Sequence, residues 1–381
     1  MITAIPMRMS TDSLTTPDSV NTIKAVRNLT IMPYQACESQ IRDFGKSYED
    51  MKKTLSLGRE IIWLTREECI AAGPTVDETL SLVRQALVAH GKKEYEMPAK
   101  IGIHPFPDVF FHAMPAYVPG NTACGMKWIE CFPRNPREYG LPQTTGLLIM
   151  NDIMTGVPVA VMDCAWLTAM RTPAVTALAA EALHPDARTF GMFGCGVQGV
   201  EHVRFIVKTL KKLEKIYIYD IRPEMMDSLI GEVGDEAGVA IVKADSPRRI
   251  AEDCEVMSSA TIILLDPMSV VKREWVAKGR TILPCDLNTF WDPAIPLQAD
   301  KYIDDSIHEH KLFDEMGYFP DGLPRIACET GEVLAGLAPG RTSKDELIVC
   351  SNIGMSVCDV VMGKAILDKA VEMNIGRKLP L

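Results

Sequence analysis

Apolar positions along the chain change period twice, and each change marks a different kind of element. The segment "IIWLT" from Ile61 reads as a short strand. Thr65 followed by "REECIAAG" reads as a capped helix stopped at Gly73. In "TVDETLSLVRQALVAHG" the apolar residues Val76, Leu80, Val83 and Leu87 keep helical spacing up to Gly91. Between Met97 and Val161 the apolar runs shorten and are broken by Pro and Gly. There "DVFFHAMPAYV", "CGMKWIECF", "TTGLLIMND" and "VPVAVMD" predict strands of a mainly antiparallel sheet, with "DIMTG" as a hairpin turn. "WLTAMRTPAVTALAAEAL" predicts a long Ala-rich helix interrupted at Pro173. From Thr189 strands alternate with helices: "TFGMFG", "KIYIYD", "VAIV", "ATIILL" and "TILPCD" are the strands, each of the first four followed by a helix. That alternation predicts a parallel, doubly wound sheet. "VCDVVMGKAILDKAVEM" predicts a final amphipathic helix, and no internal repeat recurs at a fixed period.

The first 57 residues form an N-terminal extension. Its first twenty, rich in Ser, Thr, Asp and Pro, are expected to be disordered, and Tyr34 to Leu57 to be helical, packing on the surface or on a partner subunit.

Composition narrows the function classes. The chain has 381 residues and a net charge of −10, which argues against nucleic acid or an anionic membrane as main partner. Its eleven cysteines make no C-x-x-C pair, so they are read as small core residues of a reducing, cytoplasmic compartment. No apolar run is long enough to cross a membrane, and the N-terminus lacks the order of a secretory signal. His308 and His310, near Asp304 and Asp305, would diverge on a helix, and no metal site is expected.

"GMFGCGVQG" places Gly194, Gly196 and Gly199 in the G-x-G-x-x-G spacing, after an apolar strand and at the start of a helix. Gly194 allows the tight turn, Gly196 lets the backbone approach a pyrophosphate, and Gly199 allows close helix–strand packing. The exposed N–H groups of the loop and of the helix start at Val197 and Gln198 would stabilise the phosphate charge. The next strand ends in Asp220, which would accept hydrogen bonds from ribose hydroxyls and repel a 2′-phosphate, favouring NAD(H). Arg222, two residues on, could stack on adenine or accommodate a phosphate.

Upstream and downstream motifs add a resemblance. "MPAY…CGMKWIECFPRNPREYGLPQTTGLLIMNDIMTGVPVAVMDCAWLTAMRTPAVTALAAEAL", "GMFGCGVQG" and "ELIVCSNIGMSVCDVVMGKAILDKA" together resemble the ornithine cyclodeaminase/μ-crystallin family, from Ile61 to the C-terminus. The resemblance implies a homodimer of two-domain subunits, with a Rossmann domain (residues 171–336) inserted into an α+β substrate and dimerisation domain (58–170 plus 337–381). It implies Lys127 beside a substrate carboxylate, Arg171 near both substrate and cofactor, Thr144 (or Thr145) at the nicotinamide, and Asp286 as catalytic aspartate. A guanidinium can grip a carboxylate with two parallel hydrogen bonds, and an acid at Asp286 could move a proton to and from the substrate nitrogen. Three positions depart from the family pattern. Lys100 replaces an arginine, His112 replaces an acid, and "LNTFW" follows Asp286.

The expected function is NAD(H)-dependent hydride transfer at the α-carbon of a small L-amino acid or its imine, with Lys100 and His112 also lining the substrate site. A redox-neutral cyclodeaminase converting L-ornithine to L-proline, and a non-catalytic ligand-binding protein, are the alternatives.

Overall fold

The computed structural model describes residues 36–106 and 108–381. The expectation for the first twenty residues lies outside them. The described part begins with α1 (Glu38–Thr54), whose buried Phe44 packs its ring against Tyr117, so this helix docks on the chain's own strands.

The first half then runs β1 (Glu60–Leu64), α2 (Arg66–Ala71), α3 (Val76–Gly91), β2 (Ile101–Ile103), β3 (Phe110–Val118), β4 (Ala123–Cys131), α4 (Asn135–Glu138), β5 (Thr144–Asn151), β6 (Pro158–Asp163) and α5 (Ala165–Leu183). Thr65 and Thr75 open α2 and α3 with capping boxes, their side chains accepting from the amides of Glu68 and Glu78. The second half runs β7 (Thr189–Phe193), α6 (Val197–Thr209), β8 (Lys215–Tyr219), α7 (Pro223–Ala237), β9 (Ala240–Lys243), α8 (Pro247–Asp253), β10 (Val256–Ser259), β11 (Thr281–Pro284), α9 (Ala294–Leu297), β12 (Lys301–Asp304), α10 (Ile307–Glu315), β13 (Ile326–Glu329), α11 (Thr330–Leu334), β14 (Ile348–Ser351), α12 (Ser356–Met373) and β15 (Arg377–Pro380).

Two sheets result. The first has the order β15-β1-β6-β5-β4-β3-β2 and is antiparallel except at β1–β6. One face is buried: His112, Met114, Lys127 and Leu148 alternate inward and α12 packs across β3, β4 and β5. The second sheet, β13-β12-β14-β11-β10-β7-β8-β9, is wholly parallel. This is the Rossmann-type α/β architecture expected from the alternation. Helix α5 joins the two halves, packing on α3, α6 and α12.

Three expectations are corrected. The strand read at "ATIILL" lies upstream, at Val256–Ser259, and 260–266 is irregular. The helix expected after it is a single short turn at Arg273–Trp275. The parallel sheet also extends past residue 336, because β14 inserts between β12 and β11. Residue 171, the expected start of the inserted domain, lies within α5. Among the described residues no helix is long and apolar enough to cross a membrane.

Candidate functional site

The glycine-rich turn behaves as its spacing requires. Gly194 has φ +91°, and a Cβ there would stand 2.7 Å from the Ala260 carbonyl oxygen. A Cβ on Gly199 would lie 2.1 Å from the Gly194 carbonyl oxygen, so only glycine permits this helix–strand approach. Gly196 caps α6, and a Cβ on it would meet nothing within 4 Å, leaving open space at the helix start where Val197 is exposed. An open helix N-terminus beside a left-handed glycine turn fits a dinucleotide pyrophosphate. Asp220 follows β8. Its carboxylate accepts from the Cys195 amide at 2.8 Å and the Arg222 amide at 2.9 Å, with the Arg222 guanidinium 4.0 Å away. The Gln198 carbonyl accepts from His202 one turn on.

A cluster of buried charges sits where the first sheet, α5 and α12 meet. Lys127 points inward from β4 and is fully buried; its Nζ is 2.7 Å from Asp359 Oδ2. Arg171, on α5, donates from Nε to Asp359 Oδ1 at 2.9 Å. One carboxylate on α12 thus serves two cations. Burial lowers Lys127 to about 8 despite the attraction of Asp359. Burial opposes the Arg171 charge too, but Asp359 prevails and holds it above its ordinary range.

Lys100, just before β2, is buried as well. Its amide donates to Glu309 Oε1 at 3.1 Å, its Nζ donates to the Gly354 carbonyl at 3.3 Å, and its ammonium lies 5.2 Å from the Phe313 ring centre. His112 shares the inward face of the first sheet with Lys127, stacks on Phe110 and meets Phe313 edge-on. Burial first, then the Lys100 charge, pushes its imidazole down to about 3, so it is neutral.

Asp286 lies two residues past the C-terminal end of β11 and is fully buried. Its Oδ1 accepts from Ser259 Oγ at 2.5 Å, and its Oδ2 accepts from the Thr261 amide at 3.1 Å and from the Thr261 hydroxyl. Trp291 Nε1 donates to Ser259 Oγ at 2.7 Å, so "LNTFW" supplies an indole that orients the serine. Burial raises Asp286 above the usual carboxylate range against these donors. No helix starts at Asp286, so it is not a helix cap.

The structure therefore gathers Lys127, Arg171, Lys100 and His112, and sets Asp286 with the glycine turn along the C-terminal edge of the parallel sheet. Thr144 stands apart, paired with Cys131 four positions along from the Lys127–Leu148 pair, while the neighbouring Thr145 donates to Glu130 at 2.6 Å. His308 and His310 sit on α10, with His310 buried 3.5 Å from Asp304; among the described residues no group of side chains could hold a metal ion. Asp359 is the residue that sequence reasoning missed. Its signal was a lone acid in the apolar helix "SVCDVVM".

Known proteins share the fold described above. The chain is 32% identical over 317 residues to the nodulation efficiency protein NfeD of Rhizobium meliloti, covering 82% of this chain and 97% of that one. It is 28% identical over 328 residues to an alanine dehydrogenase of Archaeoglobus fulgidus, covering 84% and 98%. A solved archaeal alanine dehydrogenase dimer with bound NAD superposes with a TM-score of 0.74 at 27% identity, covering 84% of this chain and 99% of that one. The sequence profile of one family matches residues 64–374, a span that holds the whole parallel sheet, β2 to β6 of the first sheet, the glycine turn and the Lys127–Asp359–Arg171 cluster. On that match this chain belongs to the ornithine cyclodeaminase/mu-crystallin family.

Proposed function

We propose that this protein binds NAD(H) and transfers hydride to or from the α-carbon of a small L-amino acid or the corresponding imine. The observation that carries the reading is the open fork of the Arg171 guanidinium. Lys127 and Arg171 share the carboxylate of Asp359, while the Lys100 ammonium lies 3.7 Å from Glu309 Oε2. A buried charge is costly unless paired. Arg171 Nη1 and Nη2 donate to nothing among the described residues, which leaves a fork suited to a carboxylate. A substrate carboxylate supplies the missing acceptors. When bound, the nicotinamide gives or takes the hydride. The chain's own residues fix the substrate carboxylate, through Arg171 and Lys127 with Lys100 and His112 behind them, and Asp286 holds the proton exchanged with the substrate nitrogen. Holding the α-carbon in one orientation converts binding into rate.

The test is a paired assay. L-alanine and L-proline are offered with NAD⁺, and pyruvate with ammonia and Δ1-pyrroline-2-carboxylate with NADH, while NADH absorbance and free ammonia are followed together. NADH consumption by an imine is expected. Ammonia release from L-ornithine without net NADH change would favour cyclodeamination instead, and nucleotide binding with no turnover would favour a binding protein.

The lowered Lys127 predicts a pH effect. A lysine near 8 is charged below that value and loses its charge as pH rises through it. Carboxylate binding is therefore expected to weaken above about pH 8, with log KM for the carboxylate substrate rising toward about one unit per pH unit. Lys127→Arg should move this break beyond the assay range, since arginine stays protonated.

A homodimer through the first sheet completes the proposal. The outward residues Trp63, Val161, Ile149, Met126 and Pro115 are register partners across five strands, and Trp128 and Leu147 pair beside them. Trp128 is 36% exposed and Leu147 38%. A continuous apolar face of this kind is rarely left bare in a soluble monomer. Trp128→Glu is expected to yield a monomer by light scattering where the native chain is a dimer; a native monomer at micromolar concentration would contradict the reading.

A further inference from the structure

Asp305 follows the last residue of β12 and precedes Ser306, which caps α10. It is therefore fixed between a strand and a helix. It is fully buried, and both of its carboxylate oxygens are committed to one short loop: Oδ1 accepts from the Ile353 amide at 3.1 Å and Oδ2 from the Gly354 amide at 2.6 Å. The same loop is gripped from its other side, where the Gly354 carbonyl accepts from Lys100 Nζ at 3.3 Å.

Gly354 has φ +96°, a backbone conformation natural to glycine. A Cβ placed there would stand 2.4 Å from Arg171 Nη1 and 3.0 Å from both Cζ and Nη2. The guanidinium thus lies against the glycine, on the space a side chain would fill. Its Nε is held by Asp359. The two contacts together fix the plane of the fork, and Asp305 fixes the loop that provides one of them.

We propose that Asp305 and Gly354 are positioning residues for substrate binding: Asp305 holds the Ile353–Gly354 turn, and the turn seats the Arg171 guanidinium so that Nη1 and Nη2 face the substrate carboxylate. The inference rests on the assignment of Arg171 as the carboxylate-binding group. Burial raises Asp305 only to about 6, because the Gly354 amide and the Lys100 charge oppose it, so the group is a carboxylate at neutral pH and accepts both amides. Neither Asp305 nor Gly354 needs to touch substrate for this role.

The test compares Asp305→Asn, Gly354→Ala and Arg171→Lys in the full chain. Δ1-pyrroline-2-carboxylate with NADH is the turnover probe, and fluorescence titration of the NADH complex with L-proline is the binding probe. Asparagine matches aspartate in size but presents an NH2 to one of the two amides. A hydrogen bond to a charged group is worth on the order of ten- to a hundredfold in an equilibrium. Asp305→Asn is therefore expected to raise KM and the L-proline Kd by about tenfold or more, while kcat falls by less than about threefold and the NADH Kd stays within about twofold, the pattern of lost uniform binding. Gly354→Ala, which acts directly on the guanidinium, should give the same split. A merely structural role would move NADH affinity and kcat together with KM. Unchanged KM and L-proline affinity in Asp305→Asn and Gly354→Ala, alongside a raised KM in Arg171→Lys, would overturn the positioning role alone. Unchanged values in all three variants would remove the Arg171 assignment and the inference with it.

Discussion

Asp286→Asn is expected to reduce kcat by about 100- to 10,000-fold, the usual contribution of a positioned acid–base group. That corresponds to a barrier increase of roughly 3 to 5 kcal/mol, at ~1.4 kcal/mol per tenfold. The reason lies in its setting. The carboxyl is buried, its affinity for a proton is raised by burial, and its orientation is held by Ser259 and Thr261. A raised carboxylate exchanges protons closer to neutral pH than an exposed one. Asparagine keeps the shape but cannot carry the proton. NADH affinity should stay within about twofold, since none of the hydrogen bonds to Asp286 comes from the glycine turn. Steady-state rates and cofactor titration on the same preparation check this. A near-normal rate would take Asp286 out of the chemistry and leave it as a structural acceptor for the β10 edge.

Asp359→Ala is expected to cost roughly 3 to 5 kcal/mol of stability, the usual consequence of leaving a buried charge without its partner. The effect is large because one carboxylate answers both Lys127 and Arg171. Urea denaturation should show a lower midpoint with an unchanged slope, since the surface exposed on unfolding is the same. Activity should fall further than stability alone explains. Without Asp359, Lys127 loses the attraction that keeps it protonated and Arg171 loses the bond at Nε that orients its fork. A loss of stability under about 1 kcal/mol would mean that water reaches the pair, which surface ion pairs tolerate and buried ones do not.

Much of this was legible because local chemistry and global fold agree. The threonine caps, the alternating strands of the first sheet and the glycine turn each carry a short-range signal, and each lies where the spacing put it. The failures have physical causes. β10 is written "VMSS", too polar to read as a buried strand, yet Ser258 bonds the Leu283 carbonyl and Ser259 bonds Asp286, so both hydroxyls are satisfied inside the sheet. The apolar "TIILL" just beyond it drew the assignment away, although Ile262 and Leu265 are exposed. The place of β14 between β12 and β11 is a matter of topology, and no local periodicity encodes it. The family resemblance singled out Lys127 and Arg171, but not the carboxylate that pairs with both. Asp359 lies 188 residues from Arg171, and only the packing of α12 on the first sheet and α5 brings them together.

Hydride transfer itself is tested most directly with 4-deuterated NADH and Δ1-pyrroline-2-carboxylate, followed by mass spectrometry and NMR of the product. Deuterium from one face of the nicotinamide is expected to arrive at the α-carbon of proline, and Arg171→Lys and Asp286→Asn are expected to slow this transfer without loosening NADH. Pyruvate with ammonia, yielding α-deuterated alanine, would satisfy the same claim for an open-chain imine. Tight NADH binding with no deuterium in any amino acid product, from either the cyclic or the open-chain imine, would contradict it.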